Sequence, residues 1–299
     1  MRITLAENFR AILYSPFYAL RALGFAAEEG LTVEWLPPRT PGAVFDEVKQ
    51  GAVDLAWGGP IRVMKDHDVN ASTGATLLCF AEVVSRDPFA LVAKPNWHAA
   101  GLSGLLRARF ATVSEVPTPW LCLQADLHEA GLASRLSDQD VVNGLSMEQQ
   151  LQALERGEVD VVQLFEPYIS RAVAEGAGEI IYAAWDRGPT VYTTFICSRD
   201  GLARHREAFR RLTSALRRVQ QWIATNGTEE LARVVTPFFP DISSELLRSA
   251  IRRYCDAEIW AVRPEVSKIG FERLTGMLWL SGYLTAKQKY DSCVAQFDQ

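Results

Sequence analysis

The sequence is sparing in the residues that carry most metal and redox chemistry. Its 299 residues include four histidines and five cysteines. Cys79, Cys122, Cys197, Cys255 and Cys293 are odd in number, widely scattered and without a CxxC pair. That spacing excludes the usual zinc and dithiol patterns and reads as buried, reduced thiols. His67, His98, His128 and His205 form neither HExxH nor a spaced pair with cysteine, and three of them are expected at surface positions. GxSxG, GxGxxG and GxxxxGK[ST] are absent as well, so no catalytic residue, no metal and no cofactor is expected. There is no run of about 18 apolar residues for a membrane span, and no lysine- or arginine-rich run. With 31 basic against 36 acidic residues and a net charge of −5, nucleic acid is not an expected partner.

The first residues, Met1 to Leu5, enter an alternating segment at once, without a leader-like apolar stretch or a lipid-attachment cysteine. The expectation is either a cytoplasmic protein or a periplasmic one whose leader has been cleaved. The length exceeds the roughly 100–200 residues of one domain, which favours two, and 48% hydrophobic with 22% charged residues is ordinary for a globular chain.

Strand-like segments are expected at Ile3 to Ala6, Leu31 to Leu36, Val53 to Trp57, Thr76 to Val84 and Phe89 to Ala93, alternating with helical stretches as in a βαβ sheet. A second series follows, with strands near Phe110 to Val113, Val159 to Phe165 and Ile180 to Ala184. Its helices are expected near Pro119 to Ala130 and Met147 to Arg156, where Met147, Leu151 and Leu154 share one face. The last third reads as helical, led by the stripe Phe209, Leu212, Leu216, Val219 and Ile223. Further helices are expected near Glu229 to Val235, Ser243 to Tyr254 and Val266 to Leu280, with Asn226-Gly227-Thr228 as a helix end.

The two halves echo each other. Gly51-Ala52-Val53-Asp54-Leu55 leads to Gly59-Pro60, and Gly157-Glu158-Val159-Asp160-Val161 leads to Glu166-Pro167. Thr4 to Asn8 leads to Ser15-Pro16, and Ala111 to Glu115 leads to Thr118-Pro119. Each pair reads as strand, cap, then proline at the first helical position, where it loses no helical hydrogen bond. In an open α/β sheet such junctions lie at the carboxyl ends of the strands, where ligands bind. Helix N-termini favour anions, but Glu115 and Glu166 beside two junctions disfavour a strongly anionic ligand. Aromatic residues crowd the same loops and could sandwich a flat ring: Phe9, Tyr14, Phe17, Tyr18, Trp57, Trp120, Phe165 and Tyr168, with Trp185 and Tyr192 near the return. Phe17, Tyr18 and Phe165 are expected to share in the core. Polar candidates are Asn8, Ser114, Glu115, Thr118 and Glu166, with Gly58 and Gly59 in the second loop and Arg10, Arg62 and Arg187 as charge partners. Glu82, in the apolar run Cys79-Phe80-Ala81-Glu82-Val83-Val84, must find a partner such as a ligand amine or else face water from an edge strand.

The run Leu23-Gly24-Phe25-Ala26-Ala27-Glu28-Glu29-Gly30-Leu31-Thr32-Val33-Glu34-Trp35 resembles the type II periplasmic solute-binding proteins of ABC transporters, in the taurine, alkanesulfonate, nitrate and thiamine-pyrimidine-precursor group. Gly51-x-Val53-Asp54-Leu55-Ala56 and Gly157-x-Val159-Asp160 fit the same pattern. The resemblance spans about residues 1 to 200 and, more loosely, the helical tail. It implies an α/β fold of two Rossmann-like lobes with a cleft, 1–88 plus 195–299 forming lobe 1 and 89–194 lobe 2. Hinge crossings would lie near Asp87-Pro88 and Gly188-Pro189. It also implies a monomer that closes on a small-molecule ligand and passes it to an ABC permease. The implied binding loops are Asn8 to Pro16, Trp57 to Pro60, Ser114 to Thr118 and Phe165 to Tyr168. The proline-rich, acidic Ser114-Glu115-Val116-Pro117-Thr118-Pro119 departs from the sulfonate and nitrate binders and favours a pyrimidine-like or other heteroaromatic ligand, with sulfonate or aromatic carboxylate as the alternative. A branch of the same family makes the thiamine pyrimidine enzymatically through a cysteine-rich segment. Only Cys79-Phe80 resembles it here, so the enzyme, or a ligand sensor, is the secondary expectation.

Overall fold

Short, largely apolar segments separated by helices produce two sheets in the computed structural model, which describes residues 1–38, 41–72 and 74–297. The strands run β1 (Arg2–Ala6), β2 (Thr32–Leu36), β3 (Leu55–Gly58), β4 (Leu77–Val84) and β5 (Ala90–Ala93). They continue as β6 (Phe110–Ala111), β7 (Val141–Val142), β8 (Val161–Leu164), β9 (Glu179–Ala183) and β10 (Thr193–Ser198). One sheet has the order β2-β1-β3-β10-β4 and the other β7-β6-β8-β5-β9. In each, the first three strands pair in parallel and the fourth runs antiparallel to its neighbours. The chain passes from one sheet to the other after Val84 and returns before Thr193.

The echo in the sequence has a physical basis. Gly51 and Gly157 turn the chain after their helices at φ 73° and 68°, in the left-handed region that glycine tolerates. Asp54 then accepts a hydrogen bond from Thr4 N at 2.8 Å, and Asp160 from Arg109 N at 2.9 Å. Each carboxylate thereby ties the start of one parallel strand to its neighbour.

The helices are α1 (Ser15–Leu23), α2 (Phe25–Glu28), α3 (Val44–Gln50), α4 (Ile61–Val69), α5 (Thr118–Glu129) and α6 (Met147–Glu155). They continue as α7 (Tyr168–Ala174), α8 (Arg199–Val235), α9 (Ser244–Asp256), α10 (Lys268–Leu280) and α11 (Tyr290–Cys293). Phe209, Leu212, Leu216 and Val219 of α8 are fully buried against the first sheet, each worth about 1.5–3 kcal/mol. Ile223, one turn further, is half-buried. The expected helix end at Gly227 is a break within α8 (φ 75°, ψ −170°). A full capping box, Ser146 with Gln149, starts α6 and presents Met147, Leu151 and Leu154 to the core.

Several expectations need correction. The strand β10 is absent from the sequence reading because all six of its residues are buried, leaving no polar alternation to mark it. At the four junctions, Pro16 and Pro119 occupy the second helical position, whereas Pro60 and Pro167 stand at the N-cap itself. None of these helices has a side-chain cap; Ser15 Oγ instead donates to Ile12 O at 2.7 Å. His67 is buried, with Nε2 3.0 Å from Leu77 O, and His205 pairs with Asp54. The cysteines are free thiols, four of them buried and Cys255 half-buried. Among the described residues no helix is long and apolar enough to cross a membrane.

Candidate ligand site between the two sheets

The carboxyl ends of β1, β3, β6 and β8 bring the four junctions toward one seam. One such approach is at Gly59. A Cβ placed there would stand 3.5 Å from the Tyr192 carbonyl and 3.8 Å from Thr118 Oγ1, so the β3–α4 turn of one sheet faces the start of α5 in the other. At Gly58 a Cβ would lie 2.5 Å from Phe45 Cζ, which makes glycine the residue that lets Phe45 pack beneath the turn.

On the first side, Asn8 Oδ1 accepts from Gly42 N at 2.9 Å and holds the loop after β1. Phe9 meets Tyr14 edge-on at 5.1 Å. Burial holds the Tyr14 phenol well above its ordinary range, partly offset by Asn8, the Thr193 hydroxyl and, more weakly, the charge of Arg62. On the second side, Phe165 meets Phe89 edge-on at 5.2 Å and lies 6.2 Å from Tyr168. Phe89 in turn lies 6.3 Å from Tyr192, which links the two aromatic groups across the chain crossings.

Among the described residues the Tyr192 hydroxyl is buried here without a hydrogen-bond partner, as is Trp57 Nε1 in the adjoining aromatic core. Each such group costs about 1–3 kcal/mol when left unmet. Thr193 and Phe89 were not singled out in the sequence. The signal available was their position, within a few residues of the two crossings.

The charged groups at the seam are already engaged. The Glu166 carboxylate, fully buried, accepts from Ser170 N at 3.0 Å, Ser170 Oγ at 2.8 Å and Arg253 Nε at 2.8 Å, while Glu166 N donates to Tyr254 Oη at 2.9 Å. Glu166 therefore clasps α7 to α9 and is not a free acid for a ligand. Arg187 is shared between Asp87 Oδ2 at 3.0 Å and Asp126, and Tyr182 donates to Asp126 at 2.8 Å. This cluster pins the two crossings to α5. Arg10 is paired with Glu7, which also accepts from Tyr18 Oη at 2.5 Å, and Arg62 lies over the Phe45 ring.

Other sequence candidates fall outside this group. Trp57 is buried in the aromatic core of the first sheet, stacked on Phe17 at 4.6 Å and 10°, because a large ring facing α1 fills core volume. Trp120 packs on Phe110 within the second sheet's own cluster, since its helical phase aligns it with Leu123 and Leu127. Trp185 lines a groove beside Arg252 and Arg253 of α9. Ser114 Oγ accepts from Gly144 N at 2.7 Å and Glu115 Oε1 from Met147 N at 3.1 Å, so both organise the start of α6. Glu82 sits on an edge strand yet is buried; its Oε2 accepts from Ser267 N at 2.7 Å, and burial raises its pKa to about 7. Among the described residues, no group of three or more His, Cys, Asp or Glu side chains is arranged to hold a metal ion.

Comparison with known proteins places this geometry in context. The profile of the NMT1-like family matches residues 11–236. YtlA of Bacillus subtilis, provisionally named a binding protein, is 22% identical over 294 residues, 98% of this chain and 87% of its own length. The periplasmic aliphatic sulphonate binding protein SsuA of Escherichia coli superposes with a TM-score of 0.74 at 14% identity, covering 100% of this chain and 93% of its own. The alkanesulfonate-binding protein SsuA of Xanthomonas axonopodis, bound to MOPS, gives a TM-score of 0.71 at 14% identity over 98% of both chains. The fold is that of the periplasmic binding proteins.

Proposed function

Because the chain belongs to the NMT1-like family, we propose that it is a solute-binding protein whose two lobes, 1–88 plus 195–299 and 89–194, close over one small planar organic molecule. The supporting observation is the seam itself. Gly59 meets Thr118 and the Tyr192 carbonyl, Phe89 lies against Tyr192 with Phe165 edge-on behind it, and the Tyr192 hydroxyl is buried without a partner among the described residues. These features suit a flat ring carrying carbonyl or carboxylate oxygens, with dispersion on the ring faces and neutral donors at its edge. Arg62, close enough to influence Tyr14, is the partner for a carboxylate if the ligand has one. The protein acts without catalysis, as a periplasmic monomer that hands its ligand to an ABC permease.

Thermal-shift screening tests this with pyrimidines, aromatic carboxylates, alkanesulfonates and nitrate. A true ligand at 100 times its Kd adds about 2.7 kcal/mol of stability. Tyr192→Phe should weaken that ligand about tenfold, the loss of one buried hydrogen bond, while making the free protein more stable by about 1–3 kcal/mol through removal of an unmet hydroxyl. Stabilisation by sulfonate or nitrate alone would refute the planar ligand. Conversion of a bound compound, followed by mass spectrometry, would refute the non-catalytic role.

A further inference from the structure

Beyond the seam, a pocket of about 630 Å³ lies between α8, the end of α9 and the 259–267 segment. Its lining is separate from Tyr14, Thr118 and Tyr192. The break at Gly227 opens the corner, Trp260 and Ile223 supply apolar walls, and Ser85 and Pro189 bring in both chain crossings.

Two buried acceptors stand in the wall of this pocket. Glu82 is 1% exposed and Gln220 is 4% exposed; both line the pocket, and Oε1 of each has no hydrogen-bond partner. Neither orientation is arbitrary. Gln220 Nε2 donates to Glu82 O at 2.9 Å, which fixes the amide and directs its oxygen elsewhere, and Glu82 Oε2 is held by Ser267 N. Ala81, just before Glu82, adopts φ 52° where the β4–β10 register shifts, an uncommon conformation for a residue with a Cβ. The strand is thus bent where it delivers the carboxylate. At the rim Arg86 pairs with Glu258 and Arg217 with Glu265, and Arg263 stands there as a further, exposed cation.

We propose that this pocket is a second binding site, for a small organic ammonium ion whose N–H groups reach Glu82 Oε1 and Gln220 Oε1 while its apolar body lies on Trp260 and Ile223. Both acceptors are unmet, one carries charge, and the volume is that of a small-molecule site. Burial that lifts the Glu82 carboxyl to about 7 is the penalty an ammonium partner would relieve.

The test is calorimetric titration of the full chain with benzylamine and with benzyl alcohol, its neutral counterpart of similar shape. Benzylamine should bind saturably and benzyl alcohol should not. Glu82→Gln should weaken benzylamine at least about tenfold, the loss of a charge-assisted hydrogen bond. Ala224→Trp, which fills the pocket from an exposed position on α8, should abolish binding without touching the core. Tyr192→Phe should leave it unchanged, which separates this site from the seam. Equal binding of the alcohol, undiminished binding to Glu82→Gln or Ala224→Trp, or no saturable binding by about 10 mM benzylamine would overturn the proposal.

Discussion

Replacing Glu82 with glutamine should stabilise the protein, and by an amount that depends on pH. The carboxyl is buried, its Oε1 is unmet, and burial raises its pKa from 4.5 to about 7. Between those values the folded protein holds a proton that the unfolded chain releases, so wild-type stability falls as pH rises through this window. At 1.36 kcal/mol per pH unit, the full penalty above pH 7 is about 3 kcal/mol. Glutamine cannot ionise, and its amide oxygen can still accept from Ser267 N. The advantage of Glu82→Gln over wild type should therefore grow by about 2–3 kcal/mol between pH 5 and pH 8 and level off above. Arg86, Arg217, Arg263, Glu258 and Glu265, which line or border the same region, are common to both proteins and cancel in the difference. Urea denaturation at half-unit pH intervals measures it. With an m-value of about 3 kcal/mol/M, the separation of midpoints should widen by about 0.8 M. A separation that stays constant with pH, or narrows as pH rises, would refute a buried, uncompensated carboxyl at this position.

Two further substitutions test the placement of large and charged groups. Trp57→Ala should cost about 3–5 kcal/mol by urea denaturation, because the ring is stacked on Phe17 inside the core; a loss below about 1 kcal/mol would mean the ring lies on an open wall. Arg187→Met should cost about 3–5 kcal/mol at pH 8 by leaving Asp87 and Asp126 buried without their cation. Burial already raises the Asp87 carboxyl and Arg187 holds it down, so without the cation it rises further and the deficit should shrink toward pH 5; thermal melts that show the same deficit at both pH values would contradict the cluster.

What the sequence made legible depended on whether the determining contacts were local. The helical stripe of α8 and the paired Gly-x-Val-Asp segments could be read directly, because burial at helical spacing and a left-handed glycine are local requirements. Trp120 was readable too: its spacing from Leu123 and Leu127 puts it on the face of α5 that packs into the second sheet's cluster, a phase that proximity to a proline junction obscured. Glu82 was not, because its partners Gln220 and Ser267 arrive from 138 and 185 residues away. The strand β10 was hidden by its own complete burial.

The same logic applies to the acidic junctions. A buried charge left unpaired costs more than a neutral group left unpaired, so charges at a closing seam are held by partners within the protein. Glu166 has Arg253 and Ser170, Arg187 has Asp87 and Asp126, and Glu115 caps α6. What the seam can leave unmet is neutral hydrogen-bonding capacity, and the Tyr192 hydroxyl carries it. A ligand that completes this seam should therefore be selected by ring shape and acceptor placement more than by net charge. An isosteric series differing only in charge should then span a narrower affinity range than one differing in planarity.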